Sequence, residues 1–304
     1  MIVPFAPLLL LMMQAVVGST AFLPPSSQTN QLLLHTHLHM GIIDNLVTTT
    51  NNNKGLSSFN TLEILDSIGA GSYGVVHRTT LVPKNKDSLT SSGSLSIPRN
   101  CVAKRAWTLE ELQSKNTGNK VPDKELRELS DRCKYYLDVE KHCLEKLNQD
   151  DYSDKDDDVR YVPKLLGEYP DDKKEHGGWL VFDLIESSSS SSSSDGDILE
   201  PAKTLEDVLE LDWIDQHEQD AADPTHHNQH HHHHLYMLQK ELGMAEESTF
   251  ADVLDETLLR LFRTISHVND ANIVHRDIKP GNLLVTSDGF VLIDFGSAAD
   301  LDPP

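Results

Sequence analysis

The chain has 304 residues, 48 acidic against 26 basic, and a formal net charge of -22. That length allows one large or two modest domains, and the acidic balance argues against a nucleic-acid partner, which needs clustered Lys and Arg to neutralise phosphates. Part of the acidity comes from solvated loops such as "DDYSDKDDD". The three cysteines, Cys101, Cys133 and Cys143, lack the short paired spacings of a disulfide or zinc framework and read as reduced thiols.

Residues 1–21 open with "MIVPFAPLLLLMMQAVVG", an apolar run too short for a comfortable membrane span and suited to a cleaved signal peptide, although no Lys or Arg precedes it. Residues 22–58 form a transit-like linker rich in Ser, Thr, Asn and His, with Asp44 its single acidic residue. "STAF" resembles the cleavage junction of the bipartite plastid presequences of algae with secondary plastids. Plastid import is therefore expected, with a secretory signal or a membrane anchor as the alternative, and nothing beyond this segment indicates a membrane.

Folded texture begins near Phe59. Strand-like "LEILDSI" and "YGVVHRTTL" flank a glycine turn, and a polar insertion separates them from a strand at Cys101 to Arg105. Pro122 and Asp123 make a helix start, after which Cys133, Leu137, Leu144 and Leu147 form an apolar stripe. Glu140 falls on that stripe, where a carboxylate is expensive unless paired; alternatively it borders the stripe and sees water. "RYVPKLLGEY" and "GWLVFDLIE" read as two more strands and carry the first folded segment, 59–186, to its end. Residues 187–249 are an insertion holding the serine run Ser187 to Ser194 and the histidine-rich "HHNQHHHHH". Both tracts read as flexible loops, because neither buries enough apolar area to offset chain ordering, and a floppy homopolymer lacks the fixed geometry of a metal site.

The last segment, 250–304, begins with helical spacing of Phe250, Val253, Leu254, Leu258, Leu261, Phe262, Ile265 and Val268. "LLVTSDGFVLIDFG" then reads as two short strands joined at Ser287-Asp288-Gly289, which brings Asn282 and Asp294 to one place. Oxygen ligands of this kind suit Mg²⁺ completed by substrate phosphates.

"IVHRDIKPGNLLV" followed by "DFG" resembles the signature of eukaryotic-type serine/threonine protein kinases, and "IGAGSYGVV" and "CVAKRAW" resemble its glycine-rich loop and its strand lysine. The resemblance implies an α+β fold, with a complete small lobe of antiparallel sheet plus one helix and the first part of a helical large lobe. It implies ATP and Mg²⁺ as cofactors and a protein substrate of unknown identity. Asp277 would accept the hydroxyl proton, Lys279 would neutralise the γ-phosphate, and Lys104 would bind the other phosphates with Glu140 as its partner. A one-residue shift would put Arg105 in place of Lys104, but Arg suits a compact phosphate site poorly. Ile68, Gly69, Ala70, Gly71, Ser72, Gly74 and Val76 would cover the nucleotide. Val102, Phe182, Asp183, Ile185 and Leu284 would hold its base, and Asn282 and Asp294 the metal.

"DFGSAADL" is also similar to plastid-associated kinases of plants and algae, which suggests a photosynthetic membrane target. Nothing resembling the family's later helices follows Leu301. A chain cut in its activation loop is expected, aggregation-prone when residues 59–304 are expressed alone. A regulatory module that holds ATP without turnover is the alternative function.

Overall fold

The computed structural model describes residues 60–83, 99–116, 121–150, 159–170, 178–187, 200–209 and 236–302. The expected signal peptide (1–21), the linker (22–58), the polar insertion (84–98), the serine run beyond Ser187 and the histidine tract lie outside these residues.

Five strands, β1 (Asn60–Ala70), β2 (Gly74–Pro83), β3 (Arg99–Ala106), β4 (Leu165–Tyr169) and β5 (Trp179–Asp183), form one antiparallel sheet in the order β1-β2-β3-β5-β4. Strand alternation divides it into two faces. Leu81, Cys101, Ala103 and Val181 close a small core on one face, with Leu62, Leu166, Tyr169 and Trp179 packed against it. The register sets Lys104 opposite Val76 and Leu180, and Val102 opposite Phe182. Directly opposed residues share a face, so these five line the other side.

Two helices follow β3. The first, α1 (Leu109–Lys115), begins with a complete capping box between Thr108 and Glu111. The second, α2 (Asp123–Asp150), starts where Pro122 and Asp123 predict and buries Cys133, Leu137, Leu144 and Leu147 along one line. It packs on β3 and β4.

After β5 come a short helix, α3 (Leu205–Leu209), a helical segment at 236–241, and α4 (Phe250–Asp270), itself opened by a Thr249–Asp252 capping box. Short strands β6 (Ile273–Val274), β7 (Leu283–Thr286), β8 (Gly289–Leu292) and β9 (Ala299–Asp300) complete the described chain. The pairs are β7 with β8 and β6 with β9. Thr286 faces Gly289 across the two-residue turn, and Gly289 takes φ 143°, a conformation that L side chains rarely adopt. The small-lobe sheet with its helix, followed by helix and hairpins, is the α+β arrangement the resemblance implies. Among the described residues no helix is long and apolar enough to cross a membrane.

Three local readings differ. The strand expected from Arg160 is regular only from Leu165, since Pro163 has no N–H to give a ladder. Helix α1 was not expected at all, although its Thr-x-x-Glu start stands in the sequence. On α4 the buried line is Val253, Thr257, Leu261, Thr264 and Val268, while Phe250 and Phe262 are 41% and 49% exposed. The two threonines enter that line because their hydroxyls are satisfied internally. Thr257 donates to the Val253 carbonyl at 2.6 Å and Thr264 to the Phe290 carbonyl at 2.9 Å.

Arg105 grips Glu111 with a two-pronged contact of 2.6 and 2.7 Å, and this hydrogen bonding holds the Glu111 carboxyl at about 2, below its ordinary 4.5. A depressed folded-state value contributes stability above the unfolded value and loses it as pH falls toward the folded one. Glu111→Gln should therefore melt below wild type by a constant margin above about pH 5.5, and the margin should close between about pH 5 and 2. Thermal melts across that range check it.

Candidate functional site

Lys104 is the centre of the site. Its ammonium lies 2.6 Å from Glu140 Oε2 on α2 and 2.7 Å from Asp294 Oδ1 after β8. Burial alone disfavours the charged lysine, but the two carboxylates outweigh it and raise its pKa above the ordinary value. The same ammonium holds Asp294 below its ordinary value against the opposite pull of burial. Glu140 is 3% exposed, so it does not merely border the stripe. Arg105, the alternative to Lys104, points elsewhere: it holds Glu111, and its guanidinium sits 5.2 Å from the Trp179 ring centre.

The loop between β6 and β7 arranges the second group. His275 is 2% exposed, and its Nε2 lies 3.0 Å from the Ile293 carbonyl, which can only accept. Its Nδ1 takes the Asp277 backbone N–H at 3.3 Å, so the ring is the neutral tautomer with its proton on Nε2. Burial, which lowers its pKa, supports that state. The ring also meets Phe295 edge-on at 4.7 Å. Asn282 gives its amide hydrogens to the Asp277 carbonyl (2.8 Å) and Oδ2 (3.0 Å), and Lys279 Nζ reaches the same Oδ2 at 2.9 Å. The Ile293 N–H donates to the Asn282 carbonyl, which fastens Asn282 one residue from Asp294. Arg276 and Asp294 hold left-handed backbone, φ 67° and 65°, a strain of order 1–3 kcal/mol each that persists because these bonds over-determine the loop.

Over this floor lies the turn between β1 and β2, the glycine-rich loop. Gly74 is required by the protein itself, since an added Cβ would stand 2.3 Å from the Arg105 carbonyl oxygen. Gly71 is not: a Cβ there meets nothing within 4 Å, and neither Gly69 nor Gly71 has positive φ. Tyr73 stacks at 3.9 Å on Tyr136 of α2. Its phenol is pushed up to about 12, by burial first, then by Tyr136, Asp277 and Asp294.

At the far side, Phe182 is buried opposite Val102, and Asp183 is anchored by Arg99 (2.7 Å) and Arg160 (3.2 Å). The Asp183 N–H donates to the Lys164 carbonyl, and the Ile185 carbonyl accepts from Ala202. Leu284 bridges to Thr204 beside α3. Val76 faces Lys104, and Ile68, Ala70 and Ser72 accompany the glycines.

Sequence reasoning missed one anchor of this site. Asp300 on β9 accepts from Lys146 Nζ at 2.6 Å and lies 2.9 Å from His142 Nε2. These two basic residues stand one turn apart on α2, two and six residues past Glu140. The only trace in the sequence is that i, i+4 pair, because the partner is 154 and 158 residues away on a two-residue strand.

Residues 226–304 match the protein kinase domain family. The chain is 42% identical over 60 residues to the serine/threonine-protein kinase STN8, chloroplastic, of Arabidopsis thaliana, covering 19% of this chain and 12% of that protein. It is 65% identical over 37 residues to the serine/threonine-protein kinase PSK2 of Saccharomyces cerevisiae, covering 12% of this chain and 3% of that one. A third relative, the serine/threonine-protein kinase crk1 of Schizosaccharomyces pombe, is 44% identical over 48 residues, 16% of this chain and 14% of its own length. The matched stretches thus span a small fraction of each relative. The matched family segment contains His275 to Asp294, and the glycine-rich loop, Lys104 and Glu140 lie before it. The family match is thus confined to residues 226–304, and the three relatives named are serine/threonine-protein kinases.

Proposed function

We propose that the chain transfers the γ-phosphoryl group of ATP to serine or threonine hydroxyls of a protein substrate. The observation that carries this reading is the single bridge of Lys104 to both Glu140 and Asp294, with Asp277 and Asn282 bonded together beside it. A module that only held nucleotide would have no need of Asp277 oriented by two donors.

The residues fit ATP and Mg²⁺. Open space at the Gly71 Cβ position is room that the protein's own packing does not use, as expected where backbone approaches phosphates closely. Asn282, its amide nitrogen committed to Asp277, offers its oxygen, and Asp294 offers the oxygen not held by Lys104. A cation here would be held by these two and by substrate oxygens, which is the habit of Mg²⁺. When bound, the ion neutralises charge on the phosphates.

The protein's own part is positioning and proton transfer. Lys279 and Asn282 both contact Asp277 Oδ2, reserving Oδ1 for the incoming hydroxyl and its proton. Lys279, 2.9 Å from Asp277, stands ready to offset the negative charge of the transferred group. Lys104, kept charged by its carboxylates, binds the remaining phosphates. The Asp183 carbonyl and Ile185 N–H would hydrogen-bond the base, and Val76, Val102 and Leu284 would supply its apolar contacts.

The N-terminal segment supports plastid import, and one relative's name includes chloroplastic. Imaging a C-terminal fluorescent fusion tests this; secretion or retention in the endomembrane system would contradict it.

With radiolabelled ATP, Mg²⁺ and dephosphorylated casein, wild type should transfer phosphate. Asp277→Asn should lose about 10²- to 10⁴-fold in kcat with nucleotide affinity unchanged. Nucleotide binding by wild type without any transfer would instead favour the regulatory-module reading. Gly71→Ala should melt with wild type yet bind Mg²⁺-AMP-PNP about tenfold more weakly, roughly 1.4 kcal/mol. Gly74→Ala should lose about 1–3 kcal/mol of stability by overpacking, read by denaturant titration.

A further inference from the structure

Trp107 lies three residues past Lys104, where β3 turns into α1, and none of the roles above uses it. The residue is 8% exposed, and an indole N–H can only donate, so its burial needs an acceptor. The acceptor is the Gly71 carbonyl at 2.9 Å, and the Trp107 backbone N–H donates to the Tyr73 carbonyl at 3.2 Å. The Gly71 N–H meanwhile closes onto the Gly74 carbonyl at 2.9 Å. Two carbonyls of the glycine-rich loop are thus tied to one residue. That residue is itself held in place: the Lys115 ammonium covers its ring at 3.2 Å, and the Thr108–Glu111 box with Arg105 fixes the turn that follows.

We propose that Trp107 is a positioning residue for the glycine-rich loop, holding the Gly71 and Tyr73 carbonyls away from the phosphates of bound ATP. Carbonyl oxygens turned toward phosphates would repel them. A glycine-rich turn also loses much conformational freedom when it orders, and a loop ordered in advance spares that cost on binding. The effect falls on nucleotide binding rather than on the chemical step. The inference rests on the kinase reading for its consequence, not for the contact itself.

The test uses the whole chain with ¹⁵N-labelled tryptophan. Its three tryptophans, Trp107, Trp179 and Trp213, give three indole signals, assigned with Trp107→Phe. The Trp107 indole N–H should exchange with solvent at least about tenfold more slowly than a free indole, and more slowly still with Mg²⁺-AMP-PNP. Exchange at the free rate overturns the proposal, and this readout stands even if Trp107→Phe fails to fold. A folded Trp107→Phe should raise KM for ATP about fivefold, the worth of one neutral hydrogen bond, with kcat within about twofold. Unchanged nucleotide affinity, or loss in kcat alone, overturns it. Absence of nucleotide binding by wild type would instead sink the kinase reading, while indole protection would still decide whether the pin exists.

Discussion

One ammonium group joins three parts of the chain that are remote in sequence. Lys104 on β3 meets Glu140 36 residues later and Asp294 190 residues later, all within 2.7 Å. Removing a lysine and two carboxylates from water is expensive, and their attraction offsets that cost only when the geometry is good and other lone pairs are satisfied. A buried charge that loses its partner is costlier than one never buried, so these three elements hold their places together or the arrangement opens.

Helix α2 is where the constraint spreads. Along one helix stand Tyr136, stacked under the glycine-rich loop tip, Glu140 on the lysine, and His142 and Lys146 on Asp300 of β9. Gly296 lies close against the same helix, an added Cβ there coming within 3.4 Å of Tyr136. Any rotation of α2 would disturb loop, lysine and β9 at once. The glycine-rich loop, Asp294 and the segment after it are therefore set by the placement of a single helix. The opposite end of the site depends on different bonds, those that fix Asp183 to Arg99 and Arg160 and the backbone beside it to Lys164.

Much of this was legible because the informative residues are local in pattern. The alternation of β3 put Val102 and Lys104 on one face, and the helical period put Glu140 on an apolar stripe where only a paired carboxylate is tolerable. The hairpin turn at Gly289 fixed the approach of Asn282 to Asp294. Contacts that depend on one long-range neighbour left no such trace. Asp300 sits on a strand of two residues, too short to show a period, and Trp107 reads as one more aromatic beside a strand. The buried line of α4 was read only in part, through Val253, Leu261 and Val268, for a different reason. Hydropathy favoured Phe250 and Phe262, whereas threonines with internally bonded hydroxyls pack as well as aliphatic residues do. Helix α1 was missed because its few apolar residues hide a start signal that lies in Thr108 and Glu111.

The dependence on the lysine bridge can be measured directly with a double-mutant cycle on Mg²⁺-AMP-PNP affinity, using Lys104→Met, Glu140→Gln and the two combined. If Glu140 acts by holding Lys104, each single change weakens binding at least about tenfold, and the double variant is no weaker than the worse single one, a coupling of roughly 1.4 kcal/mol or more. Losses that simply add would mean that the two residues serve the site independently, contradicting the account.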